Sequence, residues 1–435
     1  MKAAPGPRAI GKRGLGRVEQ LPAGLWWGSL LFLIITFIRP QDLVPGMSAL
    51  QLGMLTTFWI ALAWFSSKER DYLADPMIKL YFAFVTLLAC SFIFVVNHFW
   101  YLLCVQDMTV MGIAWFLALP AALRTPEHRR TFLRLLLVSF TFVAFWVVIH
   151  NGRGTSSFMG DENDAAAALN CALGLCFWTA RLDPDKRWQL LGYAGAVLCL
   201  IGVVLSGSRG GFLGMAAALL VIALLTGKLV QSIITLALLV TLSIPFLPAG
   251  YVDEIRSITN PKGGTRTERI YSWNRGIDLF MKSPVFGVGA NQYPWRLPEV
   301  EHSKEAIVER NGQRSVAGRA AHSMYFTLIP ETGLVGTGIF LAMAWLAFKR
   351  SMAWRKRTAP EDQDRRLIAL FVLSGGAGVM VSGAFISTLY YPWFWFLTAL
   401  TIVIGPTVLT SESGRLSWPE KVKHRLKRQP GPGTA

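Results

Sequence analysis

Arginines placed to grip an anion and a histidine placed to take a proton are the residues on which chemistry rests in this chain. Ser206-Gly207-Ser208-Arg209-Gly210-Gly211 is a short polar turn between two apolar runs. Its glycines let the backbone come close to an anion, and Ser206, Ser208, the amides and the planar Arg209 guanidinium supply donors to phosphate-like oxygens. The same turn is also readable as a tight helical hairpin whose arginine snorkels to lipid headgroups. It is not a nucleotide P-loop, because no Lys-Ser or Lys-Thr follows its second glycine.

A second cationic group opens the segment Gly264-Thr265-Arg266-Thr267-Glu268-Arg269, where Ile270, Trp273, Ile277, Phe280 and Met281 recur at helical spacing. That stripe predicts an amphipathic helix along the membrane interface. Arg266 and Arg269 share a face of its first turns, where open amides also favour an anion, although a plain lipid-facing helix fits the same pattern. Further on, Arg319-Ala320-Ala321-His322-Ser323 sets His322 at the mouth of an apolar run, beside several bases. An imidazole there suits a general base. Glu331 follows Pro330 at roughly 13 Å along a regular helix, too far to pair with His322, and reads as an acid bonding helices or a kinked backbone.

Asp161, Glu162 and Asp164 read as an acidic helix N-terminus, with a divalent-ion site as the alternative. Asp107, beside Gln106 inside an apolar run, is a functional candidate by position, or else an acid hydrogen-bonded between helices. Gly287-Val288-Gly289 after Ser283-Pro284 lacks a third glycine and a preceding strand, so it reads as a turn bringing the chain back over a bundle.

The elements that must position these groups follow from composition. The chain has 435 residues, 53% hydrophobic and 16% charged, with a formal charge of +17. That composition excludes a soluble enzyme, and apolar runs of about 20 residues exclude a β-barrel. The runs fall near 25–38, 48–66, 77–96, 98–123, 131–149, 164–180, 188–205, 211–227, 229–248, 322–348, 367–388 and 391–410. The expected fold is an all-α integral membrane protein with about twelve transmembrane helices. With the basic N-terminus inside, the connections bearing Lys68, Arg124, Arg129, Arg130, Lys186, Arg187, Lys349, Arg350 and Arg365 are cytoplasmic, as is the basic tail. The positive charge is therefore a cytoplasmic excess rather than a nucleic-acid footprint.

The expected organisation is a basic cytoplasmic tail (1–24), helices one to nine (25–248), an outer loop domain (249–321), helices ten to twelve (322–410) and a second basic tail (411–435). The N-terminal basic stretch and first apolar run lack a small-x-small cleavage site and read as an uncleaved signal anchor. The five cysteines fall inside apolar runs at no metal or disulfide spacing. No internal repeat is evident, which disfavours a transporter built of two related halves.

Ser206-Gly207-Ser208-Arg209-Gly210-Gly211, Arg269 before Trp273, Ser283-Pro284-Val285-Phe286-Gly287-Val288-Gly289, His322-Ser323 and Glu331-Thr332-Gly333-Leu334-Val335-Gly336 together resemble the bacterial O-antigen ligase family. O-antigen polymerases and protein O-oligosaccharyltransferases share that superfamily. The resemblance implies a GT-C-like fold in the inner membrane and a periplasmic active site. There a glycan passes from undecaprenyl diphosphate to an acceptor hydroxyl on lipid A-core or on a growing glycan, by an inverting reaction without metal or cofactor. It assigns Arg209, Arg269, Arg266 and Arg319, with Ser206 and Ser208, to the diphosphate. His322 becomes the catalytic base, and Gly207, Gly210, Gly211 and Glu331 are structural or accessory. Ser323 stands where the family commonly has Asn. A polyprenyl-diphosphate-glycan transporter is the reading from a different class.

Overall fold

The computed structural model describes residues 23–68, 70–155, 159–228, 265–301, 308–310, 313–315 and 318–405, with the isolated positions 230, 234 and 241. Among these, α1 (Ala23–Phe37), α2 (Leu52–Ser66), α3 (Pro76–Cys90) and α4 (His98–Met111) come first, α4 running on through a π-helical stretch, Gly112–Ala118. Next are α5 (Pro126–Ile149), α6 (Glu162–Leu182), α7 (Lys186–Leu205) and α8 (Arg209–Thr226). α9 (Thr265–Lys282) leads through the short helix Tyr293–Arg296 to an antiparallel ribbon, β1 (Val308–Arg310) and β2 (Gln313–Ser315). α10 (Met324–Trp354), α11 (Gln363–Gly383) and α12 (Pro392–Val403) complete the described fold.

Nine of the described helical stretches are long and apolar enough to cross a membrane, and α1 and α12 are shorter apolar helices. They account for every expected run except 229–248, which lies outside the described residues apart from isolated positions. Both expected basic ends, 1–22 and 406–435, lie outside them as well.

Local chemistry sets the helix starts. Asp75, Thr125, Asp161, Asp185, Ser208 and Ser323 each accept a bond from a backbone amide of the first turn. Such caps satisfy amides that have no partner within the helix.

At the centre, α6 packs against α7 and α11, and α11 against α8. Small residues allow this approach: a Cβ on Gly174 would lie 2.6 Å from Ser374 Oγ, and one on Gly375 2.8 Å from the Cys171 carbonyl. Buried Asn170 joins all three helices, donating to the Gly211 carbonyl at 2.8 Å and to Ser382 Oγ at 2.9 Å. Interhelical polar bonds of this kind replace the hydrophobic drive that lipid does not supply.

One end of the bundle is tied by ion pairs. Arg134 meets Asp183 at 2.8 Å, Arg130 meets Asp364 at 3.5 Å, and Arg350 meets buried Asp75 at 2.7 Å. The basic connections that the charge pattern puts on one side thus gather at one end, and the candidate site lies at the other. There the loop after α9 has its own small core of Leu279, Val288, Tyr293, Leu297, Val300 and Ala321.

The Arg350–Asp75 pair generates a stability prediction. Arg350→Ala leaves a buried carboxylate uncompensated and is expected to cost about 3–5 kcal/mol. Thermal unfolding in detergent measures it, and Asp75→Asn, which keeps the helix cap, should recover part of the loss in the double variant.

Candidate active site

The glycine turn is built for close packing. Ser206 Oγ donates to the Val203 carbonyl at 2.7 Å and accepts from the Ser208 amide at 3.2 Å. Ser208 Oγ caps α8 by accepting from the Gly211 amide at 3.0 Å, and donates to Asn163 Oδ1 at 2.7 Å. Both hydroxyls therefore hold the turn's own shape. A Cβ on Gly210 would come within 2.7 Å of Phe385, and one on Gly211 within 2.5 Å of Ala166. Arg209, half-buried, is the first residue of α8 and sits beside this cap.

His322 is exposed, with the left-handed backbone value φ 49°, immediately before the α10 cap. Ser323 is that cap, buried and accepting from the Phe326 amide at 3.4 Å, so its place in the motif has a local reason. The start of α10 meets both cationic groups through neighbours. Met324 lies against Gly383, two residues from the Phe385 that covers Gly210. On its other flank Phe326 stacks on Trp273 at 5.0 Å, one turn along α9 from half-buried Arg269. Arg319 is half-buried on the approach to His322. Arg266 lies on the first turn of α9, and its side chain is outside the described residues.

The expected stripe on α9 divides. Ile270, Ile277 and Met281 are exposed, whereas Trp273 turns to Phe326 and the buried residues among those described are Gly276 and Leu279, outside the stripe. The helix has a protein partner on one face, α10 with the loop core, so only its other face is open.

α10 is broken rather than regular. Pro330 lies within it and Gly333 has φ 62° and ψ −163°. The freed groups are taken up by the turn before the loop core. Val288 and Gly289 donate to the Pro330 and Glu331 carbonyls at 2.8 and 3.1 Å, and Leu334 and Val335 donate to the Pro284 and Val285 carbonyls at 2.8 and 3.1 Å. Buried Glu331 completes the join, its carboxylate accepting from the amides of Asn291 and Tyr293, both at 2.8 Å, and from the Tyr390 hydroxyl at 2.5 Å. Burial, and after it the Glu331 charge, pushes the Tyr390 phenol well above its ordinary value, so it remains a donor. Gln292, also buried, fastens the turn to the Val96 and Asn97 amides at 3.0 and 2.8 Å.

The acidic residues have separate partners: Asp161 caps α6, Glu162 pairs with Arg153 at 2.8 Å, and Asp164 accepts from Tyr391 at 3.4 Å. Among the described residues no group of three or more such ligands is arranged to hold a metal ion. Asp107 does not bond helices together: it makes no hydrogen bond among the described residues and lines a cavity instead. Asn170, Asn291, Gln292 and Tyr390 were not foreseen. The only signal for them was a polar residue two or three positions after Gly-x-Gly, within an apolar run, or in the gap between two runs.

Residues 194–341 match the family model described as O-antigen ligase. That segment is similar to the O-antigen ligase family. The exopolysaccharide production protein ExoQ of Rhizobium meliloti (strain 1021) is 27% identical over 254 residues, 48% of this chain and 56% of that protein, so the chain spans about half the length of this relative. The O-antigen ligase match runs from α7 into α10, and so takes in the glycine turn, α9, His322 and the Glu331 join.

Glu331→Gln keeps the shape but puts an amide nitrogen against donors. It is expected to destabilise the join by about 1–3 kcal/mol and to speed hydrogen exchange at the Asn291 and Tyr293 amides. Gly287→Ala should be worse, because φ is 77° and the added Cβ would lie 2.3 Å from Glu331 backbone, whereas Gly338→Ala, with open space, serves as the neutral control. Exchange rates in Glu331→Gln equal to wild type would show that the carboxylate does not hold the turn.

Proposed function

We propose that this protein transfers a glycan from undecaprenyl diphosphate to an acceptor hydroxyl at the periplasmic face of the inner membrane. The observation that carries the reading is the placement of an exposed histidine at the start of α10, between the α8 start with Arg209 and the α9 face with Arg269. Arg209, Arg269, Arg266 and Arg319 bind the diphosphate and offset charge growing on the leaving group. Ser206 and Ser208 shape the turn that presents Arg209 and its amides. His322 takes the acceptor proton. The reaction is inverting and needs no metal, a reading supported by the separate engagement of Asp161, Glu162 and Asp164. Activity that survives excess EDTA agrees with it, and a loss restored by magnesium or manganese overturns it.

For the acceptor, our reading is lipid A-core, the acceptor that the resemblance to O-antigen ligases implies. The likeness to an exopolysaccharide production protein favours a second reading, a polymerase joining repeat units. Lipopolysaccharide gels of a deletion strain separate them, since a ligase defect leaves bare core and a polymerase defect leaves core with one repeat unit.

The mechanism is tested in proteoliposomes with lipid-linked donor. His322→Ala is expected to lower transfer by roughly 10²–10⁴-fold, the range of a positioned base, while donor still reaches the outer leaflet. Donor trapped inside would indicate a transporter. Arg209→Lys and Arg269→Lys keep charge but lose the paired donors, and each →Ala variant should be worse, at about 1.5–3 kcal/mol per contact. Near-wild-type transfer by well-inserted Arg209→Ala would reduce that arginine to a hairpin anchor.

A further inference from the structure

The connection between α11 and α12 meets the glycine turn at Phe385, and its Ser387, Tyr390 and Tyr391 also line a separate cavity of about 820 Å³. α4 contributes Gln106 and Asp107 to this cavity, the end of α1 contributes Arg39 and Gln41, and the loop contributes Asn291, Trp295 and Gly318. Its chemistry differs from that of the arginine groups. Arg39 pairs with Asp42 at 2.6 Å and also attracts Asp107, so two carboxylates face one guanidinium, and the Asp107 carboxylate makes no hydrogen bond among the described residues. A surplus carboxylate repels a diphosphate. The lining also includes apolar Phe32, Leu103 and Met111, so what marks the cavity is the polar cluster set into one part of its wall.

Several lining groups have bonding capacity to spare. Gln41 donates to the Ile35 carbonyl at 3.1 Å, yet its buried Oε1 has no hydrogen-bond partner among the described residues, and neither has Ser387 Oγ. The Gln106 amide reaches only Met54 Sδ, at 3.5 Å. Beside these acceptors and donors Trp100 and Trp295 stack at 6.2 Å with their planes 19° apart. Planar amides and a carboxylate that bond vicinal hydroxyls, next to aromatic faces that cover C–H surfaces, are the groups that recognise a sugar.

We infer that this cavity is the subsite for the acceptor glycan, an inference that rests on the transferase reading above. The wall also fits that role: Gly318 precedes Arg319 and stands four residues before His322, the base that must face the acceptor hydroxyl. Asn291 in the same wall is held by Glu331, so the cavity and the broken helix share a fixed edge. The donor's diphosphate, by contrast, belongs to Arg209 at the start of α8.

The probe is lipid-free oligosaccharide released by mild acid from the producing strain's own surface polysaccharide, titrated calorimetrically into the full-length protein in nanodiscs. Saturable binding is expected, weakened on the order of tenfold by Asp107→Asn and about fivefold by Gln106→Ala, and unchanged by Arg209→Ala. In steady-state transfer, Asp107→Asn should raise the acceptor KM and leave kcat and the donor KM unmoved. Asp107 makes no hydrogen bond among the described residues, and thermal unfolding of Asp107→Asn equal to wild type separates loss of recognition from loss of its attraction to Arg39. Absence of saturable binding in wild type, binding indifferent to Asp107→Asn, or a change confined to donor KM overturns the assignment. Transfer that depends on His322 and Arg209 without such binding sinks the cavity assignment alone, whereas binding with no His322-dependent transfer sinks the transferase reading and with it the acceptor role.

Discussion

A single buried carboxylate decides whether the site end of this molecule exists as a unit. Glu331 lies where α10 breaks, and it accepts from two loop amides and the Tyr390 hydroxyl. A break in a membrane helix exposes backbone groups that lipid cannot satisfy, so something must fill it. Here the filling is the 284–293 turn, bonded on both sides of the break. The loop core, the tyrosine connection after α11 and the start of α10 are thereby referenced to one point, and His322 takes its position from that point.

The arginines are held by a different device. Ser208 caps the helix that Arg209 begins and reaches across to Asn163, while Asn170, two turns further along α6, grips the Gly211 carbonyl and α11. The first turn of α8, which bears Arg209, is thereby fixed to α6 and through Asn170 to α11. Preorganisation of this sort lets a guanidinium act without paying reorganisation at the moment of reaction.

Much of this was legible in the sequence because it is periodic or compositional. Runs of apolar residues foretold α1 to α8 and α10 to α12 to within a few residues, and the clustering of bases foretold which connections gather at one end. Arg209 and His322 stand out as polar residues at the edges of apolar runs, and Arg269 as a base on an amphipathic stretch. What stayed hidden depends on contacts between segments far apart in the chain. Glu331 could be read as structural, but its partners lie 38 to 59 residues away. The stripe on α9 foretold the helix, but hydrophobic spacing does not say which of its residues protein covers, and Trp273 turns to Phe326. For Asp107 the sequence leaves open a functional acid or a bond between helices, because periodicity registers an acid in an apolar run and cannot register a cavity.

The seam between α6 and α11 has a mechanical consequence. Gly174, Gly375 and Gly378 already bring backbone to contact, with no clearance for even one added carbon. Surfaces meshed so closely do not creep past one another; they either stay put or jump by a whole step. The middle of the bundle is thus a stiff keel. α9 and its loop rest instead on α10 through a small separate core, so yielding of that flank leaves the spine undisturbed.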